Sequence, residues 1–149
     1  MENLKNIRQA ALILMYDQKN KAILFQLRDD KPNIAFPNMY TFPGGVVEKD
    51  ETPLNAAVRE LEEETGYEIA VDNLRQFEVI TYISLNDKKP IQKLIFVCLY
   101  NNESEIVCNE GQEMVFLTRN EIVEALDSVV PDLRGKILDF FDTLEALTK

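Results

Sequence analysis

Between Gly45 and Tyr67 the chain carries Glu51 and then the run Arg59-Glu60-Leu61-Glu62-Glu63-Glu64-Thr65-Gly66-Tyr67. On a helix Glu60, Glu63 and Glu64 fall at i, i+3 and i+4, so their carboxylates share one face, where each like-charged pair costs about 0.2–0.5 kcal/mol. The same acids sit in the last turns, where the helix dipole disfavours anions. Arg59 is the only base between Lys49 and Arg75, too little positive charge to offset the cluster. A bound hard cation is the partner this arrangement calls for.

The helix itself is well signalled. Thr52 is a good N-cap, Pro53 suits the first helical position and Gly66 is a good stop. Leu54, Ala57, Val58 and Leu61 form an apolar stripe at helical spacing. At about 100° per residue this stripe and the Glu60/Glu63/Glu64 face lie roughly a third of a turn apart, so one face packs while its neighbour carries charge. Glu62 points away from both and is expected to be solvated.

A chain of 149 residues suits one domain over 1–149, burying about two-thirds of the surface its extended form exposes. The net charge of −10 argues against nucleic-acid polymers and anionic membranes as main partners, because both need basic patches. An anionic ligand must then be held through metal ions. The N-terminal stretch MENLKNIRQAALILMYD has an apolar run too short, and too soon followed by charge, for a signal peptide or membrane span. Cys98 and Cys108 do not make a disulfide framework, and a reducing cytoplasm is the simplest expectation. The absence of histidine removes His-liganded zinc and histidine general bases.

Elsewhere the pattern is mixed α and β without repeats. Ala10–Tyr16 and Ala22–Leu27 read as strands joined by a hairpin at Asp17-Gln18-Lys19-Asn20. The proline-punctuated loop Arg28–Met39 is long enough to be functional. Tyr40-Thr41-Phe42-Pro43-Gly44-Gly45 reads as a short strand ending in a tight turn. Phe77–Leu85 and Leu94–Leu99 predict two strands, Met114–Thr118 another, and Glu121–Leu126 and Asp132–Leu147 two helices. Together these predict an α/β (α+β) fold, a mixed sheet flanked by helices.

Three carboxylates on successive helical turns, preceded by a glycine turn that can bring backbone carbonyls close, suit octahedral oxygen ligation of Mg²⁺ or Mn²⁺. Such ions polarise phosphoryl oxygens and acidify a bound water, so the natural reaction is hydrolysis of a phosphoanhydride. Arg59 can hold one carboxylate in a bidentate contact. The competing explanation is an ordinary solvated Glu-rich helix, but such helices intersperse lysines to relieve repulsion and this one does not.

Gly45, five residues, Glu51, seven residues, Arg59-Glu60-Leu61, one residue, Glu63-Glu64, one residue, Gly66 and Tyr67 together resemble the full Nudix box of the Nudix (MutT-like) hydrolases. Tyr67, where the family usually has an aliphatic residue, is a departure that concerns packing. The resemblance implies a Nudix-type α/β/α sandwich with a mixed β-sheet between helices. It implies that Glu60, Glu63 and Glu64 bind divalent metal, with the Gly44 carbonyl as a common additional ligand. Glu51 and Arg59 match the box residues that tie loop to helix and orient a catalytic carboxylate. Asn109-Glu110-Gly111-Gln112-Glu113 is similar to a later family loop whose glutamate completes the metal site or acts as general base; Glu110 is the first candidate and Glu113 the second. The catalytic set is then Glu110, Glu63, Arg59 and Glu51.

Substrate residues are less visible. Arg28 and Lys31 are candidate phosphate contacts, with surface ion pairs to Asp29 and Asp30 as the alternative. Tyr40 and Phe42 can stack on a base or belong to the core. Asp132 can accept hydrogen bonds from guanine-like donors or cap the last helix. The resemblance implies a small-molecule nucleotide substrate, a nucleoside diphosphate linked to a group X, with a modified nucleoside triphosphate favoured and the monophosphate and pyrophosphate as products. An ADP-ribose or nucleotide-sugar pyrophosphatase is the second expectation and predicts a homodimer rather than a monomer. A non-catalytic nucleotide sensor, which usually has an eroded box, is the third.

Overall fold

The run Arg8–Asp17 forms strand β1, and its two faces belong to two different cores. In the computed structural model, which describes residues 7–149, Leu12, Leu14 and Tyr16 point into one core while Ala11, Ile13 and Met15 point into the other. A strand buried on both sides reads as a continuous apolar run, as this one does. The apolar part of the N-terminal stretch is therefore sheet, while residues 1–6 lie outside the described residues.

β1 turns at Gln18–Lys21 into β2 (Ala22–Leu27), paired at Tyr16↔Ile23 and Asp17↔Ala22. Asp17 closes the turn by accepting from the backbone N–H groups of Lys19 and Asn20, an Asx turn. Beyond this hairpin the two strands part. β4 (Gly44–Val46) replaces β2 beside the first half of β1, with Leu12 opposite Gly44 and Ala10 opposite Val46. β2 pairs instead with β7 (Glu113–Thr118) along its length and with the short β3 (Tyr40–Thr41) at its end. On its other edge β1 runs parallel to β6 (Pro90–Leu99), which pairs antiparallel with β5 (Arg75–Ile83).

Helix α1 (Pro53–Thr65) covers one face of this mixed sheet through Ala56, Ala57 and Leu61. The other face is covered by α2 (Arg119–Glu124), α3 (Pro131–Arg134) and α4 (Ile137–Leu147), through Ile122, Leu133, Ile137, Phe140, Phe141 and Leu144. The α/β/α layering expected from the sequence is present. Among the described residues no helix is long and apolar enough to cross a membrane.

Three elements depart from expectation. The segment Tyr40–Gly45, read as one strand ending in a tight turn, instead splits into β3 and β4, with Gly44 and Gly45 paired to β1. β6 starts at Pro90, four residues before the predicted strand, because its polar residues find remote partners: Gln92 accepts from the Gln9 side chain at 2.8 Å and Lys93 pairs with Asp132. The predicted helix Asp132–Leu147 is broken into α3 and α4 at Gly135-Lys136, where Lys136 takes φ −120°. Glycine is a poor helix interior residue, and the break lets α3 and α4 follow the curved sheet separately.

The signals around α1 act as read. The Thr52 hydroxyl accepts from the Asn55 N–H, Pro53 opens the helix, and Gly66 takes φ +76° while its N–H donates to the Glu62 carbonyl at 2.8 Å. A β-carbon at Gly66 would also come within 3.3 Å of Val107. Gly66→Ala is therefore expected to cost about 1 kcal/mol or slightly more, read as a lower urea midpoint with an unchanged m-value.

Candidate active site

The acid face of α1 is organised by one guanidinium. Arg59 Nε lies 2.8 Å from Glu51 Oε2 and Nη2 lies 3.0 Å from Glu51 Oε1, a bidentate pair. The same side chain reaches Glu60 at 2.9 Å, Glu63 at 3.3 Å and the Val46 carbonyl at 3.3 Å. Glu51 also accepts from the Glu48 N–H, and with Arg59 as the main cause its carboxyl is lowered to about 2. Arg59 is correspondingly pushed up, chiefly by Glu51. Helix and preceding loop are thereby fastened to each other. Glu62, with no part in this network, is exposed.

Glu64 is treated differently. Its residue is 3% exposed, Oε1 accepts from Gln26 Nε2 at 2.9 Å and Oε2 accepts from the Gly44 N–H at 2.9 Å. Gly44 thus meets the cluster as a donated N–H rather than through its carbonyl oxygen. Burial first, then the neighbouring Glu110 and Glu60 carboxyls, push the Glu64 carboxyl far above the usual carboxylate range. Glu60 lies against Gly45, where a β-carbon would stand 2.5 Å from Glu60 Oε1; only a glycine leaves room for that carboxylate.

The loop 108–112 closes the site. Asn109 donates its backbone N–H to the Glu64 carbonyl at 2.9 Å and its side-chain amide to the Glu63 carbonyl at 3.1 Å. Gln26 reaches the Glu110 carbonyl at 3.3 Å. These contacts bring Glu110 to Glu64, whereas Glu113, at the start of β7, is exposed.

Among the described residues no group of three or more acids, cysteines or histidines is arranged to hold a metal ion. The cause is visible: Arg59 draws Glu60 and Glu63 toward itself, and Glu64 has both oxygens engaged by Gln26 and Gly44. The donor set nevertheless fits a hard divalent cation. It consists of carboxylate oxygens, with Glu64 raised first by burial and then by the neighbouring Glu110 and Glu60 carboxyls.

A cleft leads away from this face through the gap where β1 and β2 part. Gln26, Arg28, Gly45, Phe42, Tyr82, Lys93 and others line an inner cavity of about 190 Å³. Ala35, Phe36 and Tyr82 are shared with an outer cavity of about 350 Å³ that ends at Pro131 and Asp132. Arg28 therefore lies in the cleft, its Nε donating to the Ala35 carbonyl at 2.8 Å. Lys31 does not line it; its ammonium is exposed 3.6 Å from Asp29, the surface ion pair that was the alternative. Phe42 is 1% exposed and packs between Phe25 and Phe140, the core alternative, although it also borders the inner cavity. Tyr40 packs edge-on against Phe25 and is absent from the lining of both cavities. Asp132 does not cap the helix, since the N-cap is Val130; it sits in the first turn of α3 with Lys93 Nζ 2.6 Å away.

Gln26, Asn109, Phe36, Tyr82 and Lys93 were not anticipated. A lone glutamine in the otherwise apolar strand Ala22–Leu27 was the one available signal, since a buried amide requires a partner.

The model of the NUDIX domain matches residues 6–140. The chain belongs to the Nudix family. A MutT-like protein of Streptomyces ambofaciens is 34% identical over 90 residues, covering 60% of this chain and 54% of the relative. The match thus spans about half the length of that relative. Among solved structures, the MutT protein of Methanosarcina mazei Go1 superposes with a TM-score of 0.71 at 18% identity, covering 99% of each chain. The E. coli dihydroneopterin triphosphate pyrophosphohydrolase does so with 0.68 at 19% identity, over 89% of this chain and 93% of its own. These likenesses establish the Nudix fold.

Burial and the neighbouring Glu110 and Glu60 carboxyls hold the Glu64 carboxyl up, so a divalent cation that needs its ionised form would compete with a proton there. Mn²⁺ affinity is therefore expected to rise with pH through the neutral range. Calorimetric titrations in two buffers of different ionisation enthalpy check this, with release of about one proton per site.

Proposed function

We propose that the chain is a Mg²⁺-dependent nucleotide diphosphatase, hydrolysing a phosphoanhydride in a nucleoside diphosphate linked to a group X, with a modified nucleoside triphosphate as the favoured substrate. The observation that carries this reading is the continuity of the cleft. One end is formed by Gly45 and Gln26, which touch Glu60 and Glu64, and the other by Phe36, Tyr82 and Asp132. A diphosphate at the acidic end and a base at the aromatic end fit its length and chemistry.

In this reading Glu60, Glu63 and Glu64 hold the metal, and Mn²⁺ can replace Mg²⁺. The ion supplies charge neutralisation for the diphosphate and acidifies the attacking water. Arg59, clamped by Glu51, sets the rotamers of Glu60 and Glu63. Gln26 and the Gly44 N–H fix Glu64, and Glu110, placed beside it by Asn109, accepts the proton of the attacking water. Arg28 contacts phosphate, Phe36 and Tyr82 flank the base, and Asp132 accepts hydrogen bonds from its edge. The products are a nucleoside monophosphate and pyrophosphate when X is a diphosphate. The fold likeness to an E. coli enzyme named for dihydroneopterin triphosphate is consistent with a triphosphate carrying a fused heterocycle.

Glu63 is the informative position, because its side chain is 59% exposed and among the described residues its one side-chain partner is Arg59, so little stability rests on it. Glu63→Gln is expected to lower turnover by about 100-fold or more while leaving the melting temperature within a few degrees of wild type. Pyrophosphate release from a panel of nucleoside triphosphates and diphosphate-linked compounds, with Mg²⁺ or with EDTA, provides the measurement. Near-normal activity in the variant, or turnover unaffected by EDTA, overturns the reading.

A further inference from the structure

The Lys93–Asp132 pair stands at the junction of the two cavities, with Lys93 lining the inner one and Asp132 the outer. Its side chains are 15% and 7% exposed and its N···O distance is 2.6 Å. Among the described residues neither carboxylate oxygen of Asp132 has a hydrogen-bond partner, so the contact with Lys93 is an ion pair of poor hydrogen-bonding angle. A buried carboxylate left in this state is costly unless donors reach it. On its other side the Lys93 ammonium lies 5.0 Å from the centre of the Tyr82 ring, and Tyr82 lines both cavities.

Resting on the reading of this cleft as the base site, we propose that Lys93 is a specificity-determining residue that makes the site select a 2-amino-oxo heterocycle. Asp132 offers two acceptors side by side, which match two parallel N–H donors, a ring N–H and the adjacent amino group. Lys93 offers a donor beside them, which matches a carbonyl oxygen on the next ring atom. The edge acceptor, donor, donor is that of guanine and of a 2-amino-4-oxopteridine. Adenine has an unprotonated ring nitrogen where the second donor is needed, and hypoxanthine keeps the carbonyl but lacks the amino group. A ligand entering the junction exchanges the poorly aligned Lys93–Asp132 contact for three aligned hydrogen bonds, while Tyr82 and Phe36 flank its rings.

The test compares kcat/KM for guanosine, inosine and adenosine triphosphates in wild type, Lys93→Met and Asp132→Asn. Wild type is expected to prefer guanosine over adenosine by about 10–100-fold. Lys93→Met should reduce guanosine and inosine together by about tenfold or more and leave adenosine nearly unchanged. Asp132→Asn should reduce guanosine more than inosine. A Lys93 that only stabilises the fold lowers all three substrates alike, and that result, or a preference untouched by either change, overturns the proposal. Because Lys93→Met strands a buried carboxylate, the neutral pair Lys93→Met/Asp132→Asn is measured beside it, and retention of the guanosine preference there also overturns it. Calorimetric binding of GMP, IMP and AMP separates this proposal from the catalytic one: without turnover on any substrate the catalytic reading fails, while tighter binding of GMP that is lost in Lys93→Met sustains this one and equal binding of GMP and AMP overturns it. A 2-amino-4-oxopteridine triphosphate in the same panel distinguishes the two sources of this edge by the larger kcat/KM.

Discussion

The site depends on a single guanidinium shared among carboxylates. Arg59 forms a bidentate pair with Glu51 and still reaches Glu60 and Glu63. A planar fork with five donors can do this where a lysine cannot. Without it the loop holding Glu48 and Glu51 would have no charged tie to α1, and Glu60 and Glu63 would repel each other on adjacent turns. The pairing lowers Glu51 and raises Arg59, so each holds the other in its charged form. Glu64 is left outside this arrangement, buried with Gln26 and the Gly44 N–H, and its carboxyl is raised first by that burial and then by Glu110 and Glu60.

The second constraint is the parting of β1 and β2. Had they stayed paired along their length, the hairpin would have sealed the sheet. Instead β4 takes the edge of β1, β7 and β3 take the edges of β2, and the cleft opens between the two groups. The start of β4 at Gly44-Gly45 serves both purposes, supplying an N–H to Glu64 and the side-chain-free surface against which Glu60 lies. Acidic face and cleft are therefore built from the same few residues.

Much of α1 was legible because its signals are local. Thr52, Pro53 and Gly66 act on their own neighbours in the chain, and the spacing of the three glutamates fixes their shared face whatever packs around them. The hairpin at Asp17–Asn20 was legible for the same reason. The start of β6 was hidden because Gln92 and Lys93 find their partners on Gln9 and Asp132, far away in sequence. Phe42 stayed open between a stacking ring and the core because a sequence does not say on which side of the core an aromatic ends. Phe36 and Tyr82, which do line the cavities, come from a loop and a strand with no motif of their own.

What the sequence alone determined is the acid-bearing helix, its caps, the α/β layering and the family, since each rests on residue type at fixed short spacing. The tertiary structure decided which of those acids are neutralised by Arg59 and which is buried. It also decided that Gln26 and Asn109 hold the site together, and that Lys93 faces Asp132 across the far end of the cleft. Those outcomes depend on chain segments separated by dozens of residues meeting in a low-dielectric interior, where a polar group must be matched by whichever partner the fold delivers.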